Sequence, residues 1–244
     1  MPQVERITPY GSDKAKAEQV EEMFDSIAPS YDLMNRAMTL GIDKSWRRKA
    51  VGLVAAERPR RILDIATGTG DLAILLAQKC PDATVTGVDL SEGMLAVGRR
   101  KVEEAGLADR VSFRPADCLQ LPFDDNSFDC ITVAFGVRNF ADLEAGYREM
   151  RRVLRPGGLL VVLELSEPSN GFVRFFYRLY ARHLIPLVGR LVSKDRRAYS
   201  YLPESIAAVP ARTAMTALMT AAGLTRASHR PLTLGVCTLY TGRR

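Results

Sequence analysis

The sequence predicts an α/β fold of the doubly wound kind, a mainly parallel sheet covered by helices on both faces. Three observations carry that expectation. Between Arg61 and Leu165, short β-branched runs alternate with helical stretches, the pattern left by parallel strands joined through crossover helices. The first run turns through Gly68, Thr69 and Gly70 into a helical pattern, and the second run ends at Asp89, about twenty residues further on. The length, 244 residues, suits one large domain over 1–244 with an insertion better than two full domains.

The elements follow in order. Residues 13–58 read as helices broken at Pro29, Gly41 and Pro59. "RILDIA" (61–66) is the first strand, and "GDLAILLAQK" (70–79) is the helix after the glycine turn. "TVTGVDL" (84–90) is the second strand, and Ser91 is the expected N-cap of the helix "SEGMLAVGRRKVEEAG". "RVSFRP" (110–115) and "FDCITVAF" (128–135) supply two more strands. "LEAGYREMRRVLRPGG" (143–158) is expected to remain helical until Pro156 and its two glycines, and "GLLVVLEL" (158–165) is aliphatic enough for a buried strand. Residues 170–202 leave the alternation and read as an aromatic, aliphatic helical insertion. A helix near 211–222, the strand "LTRASHRPL" and the run "LGVCTLYTG" close the chain.

Composition narrows the classes. Lys plus Arg at 34 against Asp plus Glu at 28 leaves +6, too mild to imply nucleic acid. Cys80, Cys118, Cys130 and Cys237 show no C-x-x-C spacing, so they read as reduced thiols of a cytoplasmic protein, and no metal set is predicted. "MPQVERITPY" lacks a basic start followed by an apolar run, and no run of about 18 apolar residues occurs, so neither a signal peptide nor a membrane span is expected.

The glycine turn raises the question of its ligand. Gly68, Gly70 and Ala73 satisfy G-x-G-x-x-A, so a dinucleotide of the NAD(P) or FAD kind is one reading, and an oxidoreductase is the activity it implies. A dinucleotide sets its diphosphate on the helix that follows, where Asp71 would stand beside it, and unit charges about 4 Å apart interact by about 4 kcal/mol at an effective dielectric near 20. S-adenosylmethionine has no phosphate and carries a sulfonium. Asp64 and Asp71 lean towards it, while Asp89, as an acceptor for a ribose diol, suits either ligand. Asp117 and Cys118, just past the third strand, stand where doubly wound sheets bind ligands and could meet an adenine. Asp71 is also a candidate helix cap and Asp117 a candidate turn residue.

"LDIATGTGD", "VDLSEGML" and "LPFDDNSFD" resemble the class I S-adenosylmethionine-dependent methyltransferases, whose Rossmann-like fold is a seven-stranded sheet with one antiparallel strand. More narrowly, "YDLMNRAMTLGIDKSWRR" (31–48), "FGVRNF" (135–140) and "RVLRPGGLLVVLELS" (152–166) are similar to the ubiquinone and menaquinone biosynthesis C-methyltransferases. The resemblance places Thr69, Asp89, Asp117 and Cys118 at cofactor-contacting positions. Two departures stand out. Thr39 and Asp43 replace the family's common Ser and His, which weakens a catalytic role for the "TLGID" turn, and Ala134 removes one cofactor contact.

The reaction the resemblance implies is C-methylation of demethylmenaquinol to menaquinol, and whether a ubiquinone precursor is a second substrate is left open by the sequence. A phenolate pushes electron density onto its ortho carbon, so the protein needs a base, or a cation that favours the phenolate, in a dry pocket. Arg138 and Asn139 follow the fourth strand. A guanidinium cannot act as the base, but Arg138 can stabilise the phenolate or orient a water; the competing reading is a surface pair with Asp142. His183, one of two histidines, is the candidate proton acceptor or a structural residue of the insertion. Tyr31 and Tyr201 are candidate walls of the quinone pocket or, equally, core residues.

From Phe172 to Arg197, seven basic residues meet the single acid Asp195 among Phe, Tyr, Leu and Ile. Such a stretch could lie on anionic lipid at the inner face of the membrane while admitting a polyprenyl tail, or form a solvated face over a packed helix. A non-catalytic scaffold for quinone synthesis is the third reading of the whole chain.

Overall fold

The computed structural model describes residues 2–180 and 196–244, the side chains of Arg196 and Tyr199 excepted. Three helices come first, α1 (Lys16–Ile27), α2 (Tyr31–Thr39) and α3 (Asp43–Ala56). The breaks fall where Pro29 and Gly41 were read, and Gly41 adopts a φ of 75°, which suits glycine. The alternating unit follows as β1 (Arg61–Ile65), α4 (Asp71–Lys79), β2 (Thr84–Asp89), α5 (Glu92–Glu104), β3 (Val111–Pro115), β4 (Phe128–Ala134), α6 (Leu143–Val153) and β5 (Leu154–Leu165). Ser91 caps α5, its hydroxyl accepting from the Met94 N–H at 3.0 Å.

The helical reading of 143–158 overran. α6 stops at Val153, and β5 begins at Leu154 and runs through Pro156 and both glycines. The side chain of Leu154 sits against the place where a Gly158 Cβ would point. After β5 come α7 (Gly171–Leu179), α8 (Arg196–Ala208), α9 (Thr213–Ala221), β6 (Thr225–Leu232) and β7 (Cys237–Arg243). Helix α8 of the insertion therefore passes residue 202 and reaches Ala208.

The strands form one seven-stranded sheet in the order β3-β2-β1-β4-β5-β7-β6. β7 pairs antiparallel with β5 and with β6; the β1–β5 pairs are parallel. Alternate residues of a strand face opposite sides, and the core divides accordingly. Ile131, Val133, Leu160 and Val162 pack with Tyr147, Met150, Met215 and Met219 on one face. Cys130, Val161 and Leu163 pack with Trp46, Val54, Leu72 and Leu76 on the other. A third cluster joins α1 and α2 to Met94 and Tyr201.

Strand order reverses between β1 and β4, so a crevice opens at their carboxyl ends. Two side chains of the first helices tie α1 and α2 over it. Asp25 accepts from Ser91 Oγ (2.6 Å) and the Gly93 N–H (2.9 Å), and Asp32 accepts from Thr69 Oγ1 (2.6 Å) and Lys101 Nζ (2.7 Å). Asp25 also meets the positive end of the α5 dipole. All four cysteines are free. Among the described residues no helix is long and apolar enough to cross a membrane.

Candidate active site

Two cavities meet at the crevice. The smaller lies over the β1 turn, walled by Ala66 and Gly68, by Asp89 and Leu90 at the end of β2, and by residues 116–119 and 134–136. The charged residues on its wall are Glu21, Asp89 and Asp117, three acids and no cation among the described residues. Asp89 bridges the turn and the start of α5, accepting from the Gly68 N–H at 2.8 Å and the Ser91 N–H at 3.1 Å. Burial pushes its carboxyl up while these N–H groups oppose the shift. Asp117 Oδ1 accepts from the Leu119 N–H at 2.9 Å, which turns the chain so that Cys118 also faces the cavity. Burial, and then Asp117, push the Cys118 thiol well above its ordinary range, so it is a wall and not a nucleophile.

Asp64, Thr69 and Gly70 stand behind this wall. Asp64, 2% exposed, accepts from Thr67 Oγ1 (2.6 Å) and Thr132 Oγ1 (2.5 Å) and so ties the turn to β4. Burial outweighs those bonds and pushes its carboxyl up to about 6. Thr69 is turned to Asp32, and a Cβ on Gly70 would come within 2.6 Å of the Phe113 ring. Asp71 is paired with Lys101. It is therefore no bare charge beside a ligand, and the obstacle it was expected to pose to a diphosphate disappears. The all-acidic charge of the cavity wall poses that obstacle instead.

The larger cavity, about 410 Å³, lies under α1, α2, α7 and α8. Phe24, Tyr31, Phe135 and Asn139 line both cavities. Phe135 holds a left-handed φ of 61° and Ala66 one of 52°, so both strand ends at the crevice carry backbone that non-glycine residues seldom adopt.

Arg138 is 6% exposed and makes no surface pair with Asp142, which instead caps α6 by accepting from the Ala145 N–H at 2.8 Å. Its partner is Glu164 on β5, with Nη1 to Oε1 at 2.9 Å, and Nη1 also donates to the Phe135 carbonyl. Burial works to lower its pKa, but the charge and hydrogen bond of Glu164 together with Tyr31 and Tyr201 outweigh it and raise the pKa, so the guanidinium stays charged. Asn139 Oδ1 accepts from the Tyr201 hydroxyl at 3.1 Å, and burial pushes that hydroxyl up to about 12. Tyr31 and Tyr201 line the large cavity; Tyr201 also belongs to the third core cluster and Tyr31 packs against it, so the two readings of them meet in one place. His183 lies outside the described residues.

Some residues of the site were not read from the sequence. Glu164 left a signal, a lone acid within "LLVVLEL", because a charge in a buried strand needs a partner. Phe135 and Phe113 left none. Thr39 and Asp43, discounted above, line the large cavity together with Arg47.

Comparison with known proteins shows the family and the fold. The model of the ubiE/COQ5 methyltransferase family matches residues 12–244. A demethylmenaquinone methyltransferase of Bacteroides fragilis is 49% identical over 240 residues, 98% of each chain. One from Thermus thermophilus is 50% identical over 222 residues, 91% of this chain and all of that one. The structure of an O-methyltransferase family protein from Burkholderia thailandensis superposes with a TM-score of 0.66 at 18% identity, covering 97% of this chain and 66% of that one; this likeness is of fold. None of these supports the oxidoreductase reading of the glycine turn. The chain belongs to the ubiE/COQ5 methyltransferase family.

Proposed function

We propose that the chain transfers a methyl group from S-adenosylmethionine to a ring carbon of demethylmenaquinol, giving menaquinol. The observation that supports this most is the pair of abutting cavities, one walled by acids and one largely apolar, with Tyr31, Phe135 and Asn139 on both. The lining chemistry of the smaller one suits S-adenosylmethionine. Asp89 offers acceptors to a ribose diol, Asp117 one to an adenine amino group, and the acidic wall favours a cationic ligand over a diphosphate. When bound, it supplies a methyl group already activated on sulfur.

The protein's own residues have three tasks. Phe24, Phe135 and the α1 and α2 side chains exclude water and orient the acceptor ring against the shared wall. Arg138, a buried cation, stabilises the phenolate oxygen. Asn139, fixed by Tyr201, orients the hydroxyl or a water that takes its proton.

Peripheral contact with the membrane belongs to the same reading. Phe172 and Phe175 on α7 are 75% and 65% exposed, and the exposed Leu40, Ile42 and Phe176 also line the large cavity, giving an apolar rim through which a prenyl tail can leave. Among the described basic residues of this stretch, one is offset by an acid and another is held by backbone carbonyls and keeps its charge. Arg178 pairs with Glu167 at 2.8 Å and Arg174 donates to the carbonyls of Pro168 and Ser169. Arg182, Arg190, Lys194 and Asp195 lie outside the described residues.

The test incubates the purified protein with methyl-labelled cofactor and either demethylmenaquinol or the demethylated ubiquinone precursor, and follows label into lipid. Label in the naphthoquinol supports the reading. Calorimetric uptake of NAD or FAD without uptake of S-adenosylmethionine sinks it, and cofactor binding without any turnover favours a scaffold.

A further inference from the structure

Arg47 lies one helical turn after Asp43 on α3. Both are buried, 7% and 3% exposed, and both line the large cavity. Asp43 is fully engaged, Oδ1 accepting from Thr39 Oγ1 at 2.7 Å and Oδ2 from Arg47 Nη1. Arg47 is not: its Nε has no hydrogen-bond partner among the described residues. Its guanidinium carbon stands 5.4 Å from the centroid of the Phe135 ring.

A buried pair of this kind adds little stability over well-packed apolar side chains of the same size, so the fold alone gives weak reason for a guanidinium here. A buried donor without an acceptor is moreover costly. Phe135 is also the residue whose carbonyl accepts from Arg138. The two guanidiniums of the cavity thus approach one residue, Arg47 at its ring and Arg138 at its backbone.

A para-quinol carries two oxygens at opposite ends of one ring, and one of them lies beside the carbon that accepts the methyl group. We propose that Arg47, oriented by Asp43 and Thr39, binds the second quinol oxygen, the one across the ring from the oxygen that Arg138 stabilises; this assignment rests on the function proposed above. Arg47 is then a specificity-determining residue, selecting para-quinols over mono-phenols of the same shape.

The test uses the full-length protein with two acceptors, a prenylated naphthalenediol and a prenylated naphthol that keeps only the hydroxyl beside the acceptor carbon. Native protein is expected to prefer the diol by about 10–100-fold in kcat/KM, the range of a charged hydrogen bond. In Arg47→Met that preference should fall to within about threefold, with the affinity for S-adenosylhomocysteine changed by less than about threefold. Asp43→Asn/Arg47→Met removes the whole pair and repeats the measurement in case the single variant, with Asp43 left unpaired, does not fold. A preference retained in either folded variant overturns the assignment. So does loss of cofactor affinity with the preference intact, which would place Arg47 on the cofactor's carboxylate. Native protein that methylates neither acceptor overturns the proposed function and this assignment with it.

Discussion

Arg138 and Glu164 form an ion pair inside the sheet's crevice, Nη1 to Oε1 at 2.9 Å, with side chains 7% and 1% exposed. Glu164 Oε2 accepts in addition from the Arg138 backbone N–H at 3.2 Å. A carboxylate on β5 thereby fixes both the main chain and the side chain of the residue that follows β4. Arg138 Nε is buried and keeps no partner among the described residues, while the residue as a whole lines the large cavity.

Breaking this pair should cost more than deleting it. We expect Glu164→Gln to destabilise by about 3–5 kcal/mol, because it strands a buried guanidinium, and Arg138→Met/Glu164→Gln to cost less than the two single changes summed. Urea unfolding measures both. The folded double variant should lose about 10²–10³ in kcat, the range for removing one oxyanion donor, with little change in cofactor affinity. Unchanged kcat would dismiss Arg138 from the chemistry.

Asp89 holds the β1 turn through the Gly68 N–H and faces the smaller cavity. Asp89→Asn should weaken S-adenosylhomocysteine binding about 10–100-fold, as expected for hydrogen bonds to a charged acceptor. Calorimetry reads this directly, and affinity equal to the native protein's would remove Asp89 from the ligand.

Asp64 gives a pH signature. Its folded pKa, raised to about 6 by burial, exceeds its ordinary value of 3.8, so between those values the folded state binds more protons than the unfolded. Its contribution is then a penalty absent below pH 3.8, growing as pH rises through the window, and complete above about 6. Asp64→Asn should therefore gain stability relative to native protein as pH rises from 4 to 6, by roughly 1–3 kcal/mol, and hold that difference constant above it. Urea midpoints at several pH values check the slope; a difference that is flat across the window refutes the assignment.

The Phe113 ring fills the space beside three glycines. A Cβ atom added to Gly70, Gly87 or Gly98 would stand 2.6, 2.4 or 2.9 Å from it, respectively. Gly87→Ala should destabilise by about 1–3 kcal/mol through overpacking, and Phe113→Leu in the same chain should recover part of that loss. Thermal unfolding of the single and double variants decides it, and additive losses would locate the clash elsewhere.

Much of the fold was legible because it rests on local rules. The alternation of β-branched runs with helical periods, the cap at Ser91 and the breaks at Pro29 and Gly41 depend on neighbours in sequence. The overrun at 143–158 came from the same kind of rule applied too far. Pro156 and its glycines mark an end of helix, but α6 had already stopped at Val153 to let Leu154 pair with Phe128 on β4. A cross-strand contact decided that boundary.

In the site, sequence spacing found Gly68, Asp89, Asp117 and Cys118, since each sits at a strand end or glycine turn that the fold class carries to the crevice. It could not tell which carboxylates line the smaller cavity. Asp64 and Asp71 flank the turn as closely as any residue does, yet one is bonded to Thr67 and Thr132 and the other to Lys101, 30 residues away.

The sequence by itself determined the order of strands and helices, the glycine turn and the family resemblance, because these are written in runs of neighbouring residues. Only the tertiary structure decided that Arg138 belongs to Glu164, that Asp71 is neutralised, and that Arg47 shares a cavity with Phe135. The energy of a charge depends on its burial and on partners brought together by the fold, and those distances are set by packing across the sheet and not by position along the chain.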